Sequence, residues 1–472
     1  MVQTFKKLDI LMTPHMDKNF YLDVCDVEMT LEIPDLKADE CLADIWKEVS
    51  WVPRCRFGKE GLRAEDAAGS LALTISEKKD NYGFDHKYWS VNRATEGDVT
   101  IRYRFYPQGK GKFVRSHPYF DTIPEENGAI ICGVTSLVNV PEQTYHISLR
   151  WDLRDTPEGT KAASTYGSGD VTFDGSCQIY TFLLMIVGRY KMAEAGGKYR
   201  VYWLNDNLPD QARMERQLPE LLQVIFRYFH EENTPYSVFL RKEPYEQSGG
   251  GTGFPGAFEY GYSDGTPFNM DSSLNILAHE TVHRWTNLQN FRGEGVWFNE
   301  GMAEYYSMMI PLRSGIATPQ QVAQWLTKKS VRYYSNPFQT MPIEEIYQKT
   351  WADKDNVELQ EAPYGRGMFY LMELDRQMKE RYGGQKSVDD LIFQTIEIAK
   401  KRGPFSVKVS EWEEILEREL GSAAIQKFHE IMNGKFMEPC DAWLDGMFTH
   451  RRGHFGLCRG REYDNAVIWE AK

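Results

Sequence analysis

Two short segments set the strictest condition on how this chain can fold. In HETVH, His279 and His283 stand four residues apart, so a helix puts both imidazoles on one face, where they can grip a single metal ion. Glu300, in WFNEGMAEYYS, lies on what reads as a second helix. Two histidines, one carboxylate and a free acid, Glu280, beside an open metal position are the parts of a zinc hydrolase. The competing reading is a surface helix carrying two ordinary histidines. Against it, the motif sits among Leu274, Ile276, Leu277, Ala278, Val282 and Trp285, an apolar setting that argues against full solvation.

The rest of the chain accommodates such a site. At 472 residues it exceeds one ordinary core, so two or three domains are expected. A balance of 68 acidic to 55 basic residues, net −13, argues against nucleic acid or an anionic membrane surface as partner. No run reaches the length of a membrane span, and MVQTFKKLDILMTPHMDKNF lacks the apolar stretch of a secretory signal. Seven scattered cysteines without a CxxC pair read as reduced thiols, so the expected address is cytoplasmic.

Texture divides the chain into three. Residues 1–172 alternate apolar and polar positions in segments such as FYLDVCDVEMTLEI and GDVTIRYRFYP, which predicts a β-sandwich-like domain, with a helical insertion over 37–51. Residues 173–402 mix strands with helices and hold the metal motif. Residues 403–472 read as helical, then irregular with one or two strands. The fold class is α+β, multidomain. Glycine-rich SGGGTGFPGAFEYGYSDGTPF suits a loop leading into an edge strand, and Asp271 or Ser272 can cap the helix of HETVH.

Glu300 is the best third ligand, with Asn299 able to cap its helix and Gly301 leaving room at the metal; Glu294, in a glycine-flanked loop, is the weaker candidate. Glu304, one turn beyond Glu300, can accept the free N–H of a bound imidazole and fix its tautomer. HETVHRWTNL, WFNEGMAEYY and APYGRGMFYLMELDRQ together resemble the gluzincin metallopeptidases, among them aminopeptidase N and the leukotriene-type hydrolases. LDRQMKERYGGQKSVDDL and HISLRWDLRDTPEGTKAASTYGSGD are most similar to the glycyl aminopeptidases. The resemblance implies a thermolysin-like catalytic domain, one Zn²⁺ on His279, His283 and Glu300, and an oxyanion-stabilising tyrosine at Tyr364. It also implies that Glu259 of GAFEY receives a substrate α-amino group while the backbone at Gly256 and Ala257 pairs with the peptide. Arg366 is open to two readings, a substrate-carboxylate ligand or a structural arginine. Sixteen residues separate His283 from Glu300, fewer than in aminopeptidase N relatives, which implies a trimmed loop and an altered pocket.

The expected function is removal of N-terminal residues from peptides by zinc-activated water, with Glu280 as general base. One alternative is a gluzincin recruited to small-molecule chemistry such as epoxide opening. Another is a peptide-binding module without catalysis, which has no need of Glu280. First-row ions other than zinc would fit the same ligands.

Overall fold

The computed structural model describes residues 5–50, 52–80, 83–108, 118–244, 250–290, 293–353, 356–458 and 461–472. The chain divides into two compact units, Met1–Gln223 with Glu232–Met270, and Val224–Glu231 with Asp271–Lys472.

The first unit is built on alternation. Strand Lys6–Met16 buries Leu8, Ile10 and Met12 on one face and pairs parallel with Tyr145–Trp151 and antiparallel with Leu22–Leu31. The latter strand turns Cys25, Val27 and Met29 to the same core, as period-two patterning requires. A second core joins Ile130, Leu184 and Ile186 to Tyr202, Phe239 and Ala257. The β-rich N-terminal segment and the next sheet therefore share one unit. That sheet runs Lys191–Ala195, Tyr199–Trp203, Tyr236–Lys242, Ala257–Tyr262 and Gly250–Phe254 in spatial order.

Three expectations change here. Residues 37–50 do not form the expected helix, whose last residue, Trp51, lies outside the described residues: Cys41–Trp46 is a strand antiparallel to Asp85–Val91. Leu42 and Ile45 face the core, and Asp44 is satisfied by Asn139 Nδ2 at 2.9 Å and His86 Nδ1 at 3.0 Å, so its polarity costs the strand little. The glycine-rich run is itself the outermost strand, Gly250–Phe254, and GAFEY lies one strand further in. A Cβ at Gly251 would come within 1.7 Å of the Phe258 ring, so this edge has to be glycine despite glycine's low strand propensity. The last forty residues are also more regular than expected. Phe448–Cys458 and Arg461–Ala471 form a long antiparallel hairpin.

The second unit is helical. Its elements are α1 (Met270–Val282), α2 (Val296–Ser314), α3 (Pro319–Tyr334), α4 (Ile343–Ala352), α5 (Val357–Arg381), α6 (Val388–Arg402), α7 (Val409–Leu420) and α8 (Ser422–Met432). Thr318 and Gln321 close a capping box on α3, and Ser387 with Asp390 does the same on α6. The C-terminal hairpin docks on α3, where Trp469 Nε1 donates to Ser330 Oγ at 2.8 Å. Among the described residues no helix is long and apolar enough to cross a membrane.

Candidate metal centre

The site is assembled by α1, α2, α3 and α5. His279 lies near the end of α1, and His283 opens a single 3-10 turn, His283–Trp285, that follows directly. The helix starts at Met270, so Asp271 sits in its first turn rather than capping it; there Asp271 Oδ1 accepts from Gln321 Nε2 at 2.7 Å. Helix α2 begins at Val296, earlier than expected, and places Asn299 within it. Asn299 is fully buried and pins the preceding loop, accepting from Leu288 N at 3.1 Å and donating to Leu288 O at 2.9 Å.

Three ligand atoms converge. The Nε2 atoms of His279 and His283 lie 3.1 Å apart, and each is 3.3 Å from Glu300 Oε2. Among the described residues these three side chains form the one His/Cys/Asp/Glu group close enough to hold a metal ion. Glu300 Oε2 is buried without a hydrogen bond of acceptable geometry. Two imidazole nitrogens and a carboxylate oxygen are also a donor set that zinc prefers, so the residues fit the ion. Glu294 lies apart from them and accepts from Asn290 Nδ2 at 3.1 Å. Burial pushes the His279 imidazole down to about 4, while at His283 Glu300 overcomes the effect of burial and lifts it to about 9.

Each histidine also has a partner for its second nitrogen. His279 Nδ1 lies 3.8 Å from Glu304 Oε1, and His283 Nδ1 lies 3.4 Å from Thr286 Oγ1. Thr286 went unread in the sequence, although a hydroxyl three residues after a ligand histidine is a local signal. On the far side of Glu304, its Oε2 pairs with Lys329 Nζ from α3, a lysine 8% exposed for which sequence offers no local signal. Glu280 is half-buried, and its charge acts on both His283 and Tyr364.

Tyr364, on α5, lays its ring parallel to the His279 imidazole, with centroids 6.1 Å apart and 5° between planes. Burial, the Glu300 and Glu280 carboxylates and a hydrogen bond to Glu300 hold its phenol well above the ordinary range, so it stays protonated. Arg366 takes the structural reading. It is fully buried, and its guanidinium donates to the carbonyls of Gln339 (2.8 Å), Met341 (2.6 Å) and Met432 (3.2 Å). Gly301 makes room for a helix rather than for the metal, since a Cβ there would lie 2.5 Å from the Gly367 backbone.

The GAFEY residues belong to the first unit. Gly256 occupies the hairpin turn with φ +72°, and Ala257 pairs with Phe254 on one side and Ser237 on the other. Glu259 is fully buried, 3.5 Å from Arg241 Nη1, a guanidinium that also meets Asp121 at 2.9 Å and Glu243 at 2.5 Å.

Residues 288–368, which carry Glu300, Glu304, Tyr364 and Arg366, match the M61 glycyl aminopeptidase family. Those are 81 of the chain's 472 residues, and over them the chain is similar to that family. Its fold is similar to that of an aminopeptidase N family protein from Idiomarina loihiensis, with TM-score 0.68 and 15% identity over 94% of this chain and 79% of the other. An M1 zinc metallopeptidase from Deinococcus radiodurans gives TM-score 0.51 at 16% identity, over 92% and 95% of the two chains. Native yeast LTA4 hydrolase gives 0.53 at 14%, over 94% and 70%. No curated protein matches the sequence. At such identities the structural likeness is one of fold: an N-terminal β-rich region followed by a helical region.

Proposed function

We propose that this chain is a zinc-dependent aminopeptidase acting on peptides, with one zinc ion held by His279, His283 and Glu300. The observation that carries the reading is the convergence of these three ligand atoms, with Glu280 next to His279 in the chain and the Tyr364 ring parallel to the His279 imidazole. Zinc bound there would polarise a scissile carbonyl and acidify a water. Glu280 takes the proton from that water and delivers it to the leaving amine. Tyr364 donates its phenolic hydrogen to the oxyanion as it develops. Glu304 and Thr286 hold the imidazole rings in one tautomer and orientation. The catalytic region is the segment 173–402, flanked by 1–172 and 403–472. A cytoplasmic setting accords with seven cysteines that are all unpaired.

Glu280→Gln should keep its zinc and lose turnover of aminoacyl-fluorogenic substrates, whereas His283→Ala should lose both. Full activity in Glu280→Gln would overturn the mechanism.

One observation favours a second reading. Glu259, the expected receiver of a substrate α-amino group, is fully buried against Arg241, and the outer strand Gly250–Phe254 carries no acid. A hydrolase without that anchor acts on substrates that lack a free amino terminus, small apolar metabolites among them. Zinc-loaded protein that cleaves blocked or non-peptide esters but no aminoacyl substrate would establish it.

A further inference from the structure

The outward-facing nitrogen of His279 leads away from the metal ligands along a chain of charges. Glu304 Oε1 faces His279 Nδ1 at 3.8 Å, and Glu304 Oε2 is paired with Lys329 Nζ. Both side chains are almost wholly buried, Glu304 on α2 and Lys329 on α3. They line a small cavity of about 10 Å³ together with Arg332, Glu361 and Tyr364. A carboxylate in such a place is held by whichever donors reach it, because water cannot reorganise around it. Without that partner Glu304 would turn towards whatever donor it could find, and Oε1 would no longer be held at the imidazole N–H.

We infer that Lys329 is a positioning residue for the metal centre: by holding the Glu304 carboxylate through Oε2 it keeps Oε1 turned to His279 Nδ1 and so fixes the imidazole that binds the ion. Lys329 pairs with Glu304 rather than with a ligand atom, and its hold on that carboxylate is the route assigned to it. This inference rests on the metal-centre reading above.

The test is zinc affinity by chelator competition in the full chain, with the metal-free fold of each variant verified by circular dichroism. Lys329→Met is expected to weaken zinc binding about tenfold, the lower end of what loss of an outer-shell partner costs. Lys329→Arg, which restores the charge, is expected to return affinity to within about twofold of the starting protein. The double variant Glu304→Gln/Lys329→Met should bind zinc no more weakly than Glu304→Gln alone, because the lysine has nothing left to act through. Unaltered affinity in Lys329→Met, an arginine variant as weak as the methionine one, or independent losses in the double variant would each overturn the inference. If Lys329→Met does not fold, Lys329→Gln takes its place, and the same losses of affinity are expected of it. An unmodified chain that binds no zinc would overturn the metal centre itself, which separates the two failures.

Discussion

A phenol can stabilise a developing oxyanion only while it keeps its proton, and the surroundings of Tyr364 see to that through burial and two neighbouring carboxylates. Tyr364→Phe should therefore lower kcat by roughly 10²–10³-fold, the usual loss on removing one oxyanion donor, with zinc content and Tm unchanged. Arg366, two residues on, obeys a different logic. Both terminal nitrogens of its guanidinium are engaged with three backbone carbonyls, so Arg366→Met should destabilise the protein by roughly 2–4 kcal/mol and leave KM alone. Urea denaturation beside steady-state kinetics checks this; a raised KM at unchanged stability would restore the substrate-binding role. Sequence pattern marked both residues, but only the contacts around each side chain separate their roles.

At the scale of elements, the decisive contact is the crossing of α2 and α5. A Cβ at Gly301 would lie 2.5 Å from the Gly367 backbone, and one at Gly367 would lie 1.7 Å from Trp297 O. Glycine in a helix interior normally costs about 1 kcal/mol relative to alanine. Here two glycines let the helices meet backbone to backbone and so bring Glu300 on one to Tyr364 on the other. Gly367→Ala should reverse the usual propensity gain, destabilising by about 1–3 kcal/mol and weakening zinc binding together. Thermal unfolding of metal-free protein and chelator competition measure the two effects; a stabilised variant with full affinity would refute the crossing. That Glu300 lies on a helix was legible in the sequence. The crossing was not, because nothing local in NEGM distinguishes a glycine facing an ion from one facing a helix 66 residues away.

For the molecule as a whole, a buried imbalance of charge lies in the first unit, where Arg241 serves Asp121, Glu243 and Glu259. Burial, only partly offset by Arg241, raises Glu243 from 4.5 to about 7 and Glu259 further. The folded chain then holds protons that the unfolded chain releases near 4.5, so stability falls as pH rises from there through about 7. Tm should drop by a few degrees between pH 5.5 and 8, and Glu243→Gln should flatten that slope. A Tm that rises over the same interval, or a slope untouched by Glu243→Gln, would refute the account.

Much of this protein is written in the order of its residues. Period-two alternation determines the N-terminal sheet, and the four-residue step of HETVH, with the helix that carries Glu300, determines the donor set of the candidate metal centre, because both are properties of short stretches of backbone. The tertiary structure decided what those stretches meet. It moved GAFEY one strand inward because Gly251 lies under the Phe258 ring, and it turned residues 41–46 into a strand once Asp44 had partners in Asn139 and His86. It closed Arg366 around three carbonyls, and it set Lys329, 25 residues beyond Glu304 in the chain, against that carboxylate. Such contacts arise from how helices and strands pack across long separations in sequence, and no local pattern encodes them.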